Sequence, residues 1–451
     1  MIDKVLSLLD AERERHLARL MDLVRQPSVS ATGEGVEECA GLVRSMMEEA
    51  GFEVRFARCG KAAPLIYGQI LNPKAKRTIL IYAHYDVQPP EPLELWETSP
   101  FEPVVKDGRL WARGAADDKS QLYAAIAAAQ AWRRIAGRAP VNLKVLFDGE
   151  EETSSSGLFG FVRENGELLR TDLVWVSDGE YDCSGRPALT FGARGILYIE
   201  LKVRGAAADC HSGMFGGLAP NPAWRLVGLL ATMKVRSGRV LVEGFYDGIR
   251  PMSRLEAQAL AENPYDGELA RRYLGAEKLD VPEGTSAAEA LMFRPTLNIC
   301  GLASGYGGPG SKTIIPSQAI VKMDIRLVVD QDPGEMLDKV KRHLARHGFG
   351  DVEIVQHGAM KPVKTDMGHP AAGAAVKAVE MGFGATPVKI PSAGGSVPTY
   401  IFQEALGAPV ITVPYANADC NMHAPNENMD LESFYKGMRT TAAGMATTAE
   451  I

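Results

Sequence analysis

Three short apolar runs constrain this chain most. Thr78–Tyr82, Val141–Phe147 and Leu173–Val176 suit buried strands. Between the first two lies Ser120–Arg134, SQLYAAIAAAQAWRR, alanine-rich and helical. Strands separated by helices of this length imply a largely parallel sheet covered on both faces.

The texture changes near Phe191. GILYIELKVR, Gly195–Arg204, alternates apolar and polar residues like a half-exposed strand. A helical pattern runs from Asn221 to Val235, Ala319–Val329 alternates again, and Pro333–Arg346 is a polar helix closed by Gly348. Residues 236–295 read as loops and helix without a definite place. After His369 an alanine-rich helix and parallel-type strands return, as in APVITVPY. The expected fold class is α/β: a domain of residues 1–190 and 370–451 with a mostly parallel central sheet flanked by helices. A smaller α+β domain, 191–369, interrupts it with an antiparallel sheet and helices on one face. A length of 451 residues agrees with two domains.

Bulk properties exclude several classes. A net charge of −7 gives no footprint for nucleic acid or a polybasic membrane contact. No apolar run approaches a bilayer span, and the charged N-terminus reads as an amphipathic helix with no signal-peptide core. The cysteines Cys39, Cys59, Cys183, Cys210, Cys300 and Cys420 form no CxxC pair. That spacing suggests a reducing, cytoplasmic setting.

Open α/β sheets place ligands at the C-terminal ends of their strands. His84 and Asp86 follow the first run, Glu150, Glu151 and Glu152 the second, and Asp178 the third, while Asp117 and Asp118 precede the alanine-rich helix. Carboxylates that dense repel one another by several kcal/mol unless cations neutralise them. Mixed His and carboxylate ligands suit zinc, manganese or cobalt. Asp86 then has a supporting role, accepting the spare N–H of His84 and fixing its ring. Taken singly, each group has a plainer reading: a structural His, a helix cap at Asp117 or Asp118, a solvated Glu turn. Their recurrence at successive strand ends favours a shared site.

In order, HYDVQP, GAADDK, GEEET, SDGE and DCHSGMFGG resemble the co-catalytic metallopeptidases that include carnosinase, cytosolic non-specific dipeptidase, bacterial dipeptidases and glutamate carboxypeptidase. The likeness spans nearly the whole chain. It implies two divalent metal ions per chain, zinc first, with manganese or cobalt as alternatives. It makes Asp117 the bridging carboxylate, His84 and Asp178 the partners at one metal, and Glu152 and His423 those at the other. Glu151 is the implied general base toward a metal-bridged water, with Glu150 outside the site. The likeness further implies that His211 polarises the substrate carbonyl across a homodimer, and that Arg326 clamps the free carboxylate of a small peptide. Thr313, Gly395 and Ser396 are weaker candidates for holding the substrate backbone. Residues 191–369 become a lid and dimerisation domain. The expected activity is hydrolysis of dipeptides or short peptides bearing a free C-terminal carboxylate. An N-acyl amino acid deacylase and a catalytically inactive binding protein are the alternatives.

Two other signals are set aside. GYGGPGSKT, Gly305–Thr313, lacks the lysine directly after the last glycine that a phosphate loop needs. His343 and His347 have zinc-chelating spacing, but the basic stretch around them reads as a solvated helix end.

Overall fold

The computed structural model describes residues 1–451 apart from 59–61, 154, 183, 264 and 283 and the side chain of residue 273. Cys59 and Cys183 therefore lie outside the described residues; Cys39, Cys210, Cys300 and Cys420 are unpaired. Among the described residues no helix is long and apolar enough to cross a membrane.

The three apolar runs lie side by side. Thr78–His84 pairs in parallel with Asn142–Asp148 on one side and Leu173–Val176 on the other. Val410–Thr412 continues the parallel array beyond Leu173–Val176. The full sheet has 8 strands and is mixed. Glu53–Ala57 and Leu65–Ile70 run antiparallel on one flank, because residues 58–64 are too few for the crossover a parallel pair requires. The parallel prediction thus holds for the centre of the sheet and not for this flank.

Lys119–Ala136 is buried over most of its length, as its alanine content allows. It packs against Leu431–Thr448, which in turn packs against Pro370–Phe383. Those last two helices approach closely at their backbones: a Cβ on Gly382 would sit 2.6 Å from both the N and the Cα of Thr440. The charged N-terminal stretch forms two helices, Ile2–Ala11 and Arg13–Arg25, where the sequence suggested one.

A second sheet of 4 antiparallel strands is ordered Thr296–Ser304, Gln318–Leu327, Gly195–Arg204, Glu353–Met360. Pro222–Met233 and Pro333–Arg346 pack on one face of it. Leu197, Ile199, Leu226, Leu229 and Val340 lie in that core. At the seam, Gly192–Ala193 pairs with Val363–Lys364. Among the described residues, the segment 236–295 contains the short helices Arg254–Glu262, Gly267–Tyr273 and Ala287–Phe293.

One reading is corrected here. His343 is not solvated: it is 4% exposed, and its Nε2 lies 2.9 Å from Thr232 Oγ1. Burial holds its imidazole below the usual pKa. The neighbouring Lys and Arg residues take the outer face of the helix, so a basic sequence conceals an inward-facing ring.

Candidate metal centre

His84 is the last residue of its strand, and its ring is buried. Nε2 lies 2.9 Å from Asp117 Oδ1. The other Asp117 oxygen, Oδ2, lies 3.0 Å from His423 Nε2, which is also 3.2 Å from Glu152 Oε2. Two triads result, His84–Asp117–Asp178 and Asp117–Glu152–His423, in each of which the ligand atoms lie within 4.8 Å of one another. Asp117 belongs to both.

Each side chain is positioned by its local fold. Asp117 sits in the loop before Lys119–Ala136, and that loop wraps around the buried carboxylate of Glu427. Oε1 accepts the N–H groups of Ala116 and Asp117 at 2.8 and 3.0 Å. Oε2 accepts from Gly114 N–H and Arg113 Nη1, both at 2.9 Å. Gln121 ties the same loop to the strand ends, donating to the carbonyls of Ala116 and Gly179, both at 3.1 Å, and accepting Tyr415 N–H at 2.8 Å. His423 is held with φ 59, a left-handed conformation uncommon outside glycine.

Asp86 does more than the sequence suggested. The acceptor facing His84 Nδ1 is the Asp86 main-chain carbonyl, at 3.1 Å, with the carboxylate Oδ1 at 3.3 Å. The carboxylate is engaged elsewhere: it accepts the N–H groups of Glu151 and Glu152, each at 3.1 Å. Gln88 Nε2 donates to Glu152 Oε2 at 2.8 Å. Asp118 is the N-cap residue of its helix but makes no side-chain cap; its Oδ2 accepts the His84 N–H at 3.0 Å.

The Glu run separates by contact. Glu150 turns away: Oε1 accepts Ala63 N–H at 3.0 Å and Oε2 the Ser156 hydroxyl at 2.9 Å. Glu151 stays with the cluster. Burial pushes its carboxyl well above the usual range, and the charges of Asp178, Glu152 and Asp117 add to this against the opposing pull of His84.

The electrostatics show what the centre lacks. Burial pushes Asp178 up to about 6. Burial would also raise Asp117, yet the hydrogen bonds from His423 and His84 hold it below the ordinary value. The His423 imidazole is raised to about 10 by its hydrogen bonds to Asp117 and Glu152. Burial works to lower His84, but hydrogen bonds to Asp117 and Asp86 overcome it and hold the ring well above its usual pKa. The cluster thus draws protons onto both imidazoles to offset its own negative charge. Divalent cations between the same atoms would supply that positive charge, so the donor set fits two of them.

The other expected residues form two further groups. Arg326 Nη1 donates to Ser396 Oγ at 2.9 Å, and Arg326 Nε to Asp324 Oδ2 at 3.0 Å. Gly395 lies beside Ser396 in the same turn, and the neighbouring Gly394 carbonyl accepts from Arg194 Nε at 2.8 Å. His211 and Thr313 meet on a small ladder: Cys210–His211 pairs with Ile314–Ile315, and Ser212 N–H donates to the Thr313 carbonyl at 3.0 Å. Among the described residues neither has a hydrogen bond or ion pair to the His84–His423 cluster. His211 is exposed, and its Nδ1 accepts Gly213 N–H at 3.0 Å, which leaves Nε2 as the outward donor of the neutral ring.

Sequence reasoning missed Glu427, Gln121, Gln88 and Arg194. They act on main-chain groups or on other side chains; Gln88 lies inside HYDVQP and Gln121 inside the alanine-rich helix, but neither side chain was singled out.

Known proteins resemble the chain over most of its length. The Cys-Gly metallodipeptidase of Schizosaccharomyces pombe is 31% identical over 462 residues, covering 97% of this chain and 96% of that protein. Human Beta-Ala-His dipeptidase is 30% identical over 396 residues, 86% of this chain and 78% of its own length. The crystal structure of an M20 family metallo-carboxypeptidase from Sulfolobus solfataricus superposes with a TM-score of 0.89 at 35% identity, covering 97% of this chain and 99% of that one. The pattern of Peptidase family M20/M25/M40 matches residues 80–446, and the chain belongs to that family.

Proposed function

We propose that this metal-dependent peptidase hydrolyses dipeptides, using His84, Asp117, Asp178, Glu152 and His423 to hold two divalent cations, zinc first among them. The observation that carries the reading is the sharing of Asp117 between two triads. Dipeptidase relatives that match nearly the whole chain support the substrate class. When bound, the two cations supply Lewis acidity that makes water a nucleophile near neutral pH.

The chain's own residues do the rest. Glu151, buried and raised in pKa, accepts the proton of the attacking water and returns it to the leaving amine. Arg326, steadied by Ser396, offers its guanidinium fork to the substrate carboxylate. Thr313 and Gly395 line the substrate backbone in the same reading. His211 turns an Nε2 donor outward, suited to a carbonyl oxygen that gains charge.

A homodimer would bring that donor to the partner's site. Met214, Leu218 and Trp224, which follow His211 in sequence, are 70%, 81% and 75% exposed, and such apolar exposure supports a second copy as its cover. Residues 191–369 then serve as lid and dimerisation domain, and residues 1–190 with 370–451 as the metal-binding domain. A cytoplasmic setting accords with the unpaired cysteines.

The test is metal content and dipeptide turnover together. Two ions per chain, with turnover abolished by chelation, is the expected result; Asp117→Asn should lose both ions. One tightly held ion in the active protein rejects the bridging scheme. For His211, mixing His211→Ala chains with Glu151→Gln chains should restore activity, and a verified heterodimer without rescue rejects the cross-subunit role.

A further inference from the structure

A cavity of ≈ 400 Å³ opens beside the centre, in the size range of small-ligand sites. Asp178 and Gly394 both line it. Its walls are mostly apolar: Ile390 and Val397 from the metal-binding domain, Leu291 and Met292 from the helix Ala287–Phe293. That helix belongs to the segment whose place the sequence left open. Leu291 leans directly on the substrate loop, since a Cβ on Gly394 would meet Leu291 Cδ1 at 2.5 Å.

This placement bears on one part of a substrate. In the proposed function, the scissile carbonyl lies at the cations beside Asp178, and the free carboxylate lies at Arg326 and Ser396, next to Gly394. The C-terminal residue spans the two anchors. The cavity borders Asp178 at one anchor and Gly394, two residues before Ser396, toward the other, so it is placed to face that residue's side chain. We propose that it is an apolar specificity pocket for the C-terminal side chain, with Leu291 setting its depth. The inference rests on the proposed dipeptidase reading.

An apolar lining rewards an apolar occupant. Burying a leucine side chain there should favour Ala-Leu over Ala-Gly by about tenfold or more in kcat/KM. Glu180 also lines the cavity, so a basic side chain is the competing occupant.

The experiment compares kcat/KM for Ala-Gly, Ala-Leu, Ala-Trp and Ala-Lys in the metal-loaded wild type, Leu291→Ala and Leu291→Trp. The expected result is a wild-type preference for Ala-Leu, shifted toward Ala-Trp by the alanine variant and reduced toward one by the tryptophan variant. If Leu291→Trp fails to fold, the alanine variant alone still decides the matter. Equal wild-type rates on Ala-Gly and Ala-Leu, a preference for Ala-Lys, or an identical ranking in wild type and Leu291→Ala would overturn the pocket and leave the dipeptidase reading intact. A wild type that cleaves none of the four would overturn that reading itself, and the pocket with it.

Discussion

The carboxylate of Asp86 grips the main chain of Glu151, with Oδ1 accepting its N–H at 3.1 Å. The second oxygen holds Glu152 in the same way, and the Asp86 carbonyl faces His84 Nδ1. One residue therefore orients a proposed ligand on one strand and the turn that carries the proposed base and another ligand. Asp86→Asn puts an NH₂ where one of the two N–H groups needs an acceptor. Metal affinity and kcat/KM should both fall by about 10–100-fold, the usual cost of losing a ligand's supporting partner. Calorimetric titration of metal into stripped protein, run beside the kinetics, checks this; unchanged affinity would mean that the Glu turn is held by other contacts.

Glu151 is separable from metal retention. It is absent from both triads, while its neighbour Glu152 is in one. Glu151→Gln should leave metal content unchanged and lower kcat by about 10²–10⁴-fold. Metal analysis with steady-state kinetics measures both. If turnover survives, the base is another group, but Glu150 is a poor substitute while its carboxylate is held by Ala63 and Ser156.

Glu427 should matter as much for folding as for the site. It is 0% exposed and pairs with Arg113, which is 1% exposed. Glu427→Gln removes the charge that compensates a buried guanidinium and places an NH₂ among N–H donors. A loss of about 3–5 kcal/mol is expected, the range for breaking a buried pair. Urea unfolding measures it, and a loss within ~0.5 kcal/mol, ordinary for a surface substitution, would contradict the burial argument.

The sequence revealed the ligand side of this centre and concealed its scaffolding, for a physical reason. Apolar strands that end abruptly in His or carboxylates leave a visible pattern, and the sheet's parallel centre lines up those ends. The main-chain partners of Glu427, and those of Gln121 at Gly179 and Tyr415, lie in loops distant in sequence, and no residue pattern encodes such partners. His343 was misread because its partner, Thr232, is 111 residues away. Segment 236–295 was different: its helix starts carry legible signals. Ser253 and Glu256 form a capping box, and Ser286 caps the helix that reaches Gly394. Those helices are short, so their apolar periodicity was too brief to reveal which face is buried.

Arg326 reaches Ser396 and Asp324 through different nitrogens. A lysine at this position keeps one positive charge but loses the planar fork. Arg326→Lys should raise KM for dipeptides about tenfold or more, as expected when one charge-assisted hydrogen bond is lost. A dipeptide amide, which lacks the carboxylate, should be affected little. Parallel kinetics on the acid and the amide decide the point: an equal loss on both would place Arg326 in the fold and not at the carboxylate.

His16 links stability to pH away from the centre. It is 2% exposed, and its Nδ1 lies 3.1 Å from the Tyr123 hydroxyl. Burial lowers its pKa to about 4, while an unfolded histidine titrates near 6.5. Between those values the unfolded chain binds the extra proton, so acid favours unfolding. The contribution is fully present above about pH 6.5, falls as the pH drops toward 4, and is gone below that. The difference between those two values corresponds to an upper bound of ~3.4 kcal/mol. Carboxylates titrate over part of the same range, so wild type alone cannot isolate the effect. His16→Gln retains a polar side chain without a titrating group. Urea unfolding of both proteins, stripped of metal, at pH 7.5 and 4.5 gives the difference. Wild type should lose about 2–3 kcal/mol more than the variant on acidification; equal losses would mean that His16 accepts its proton within the fold.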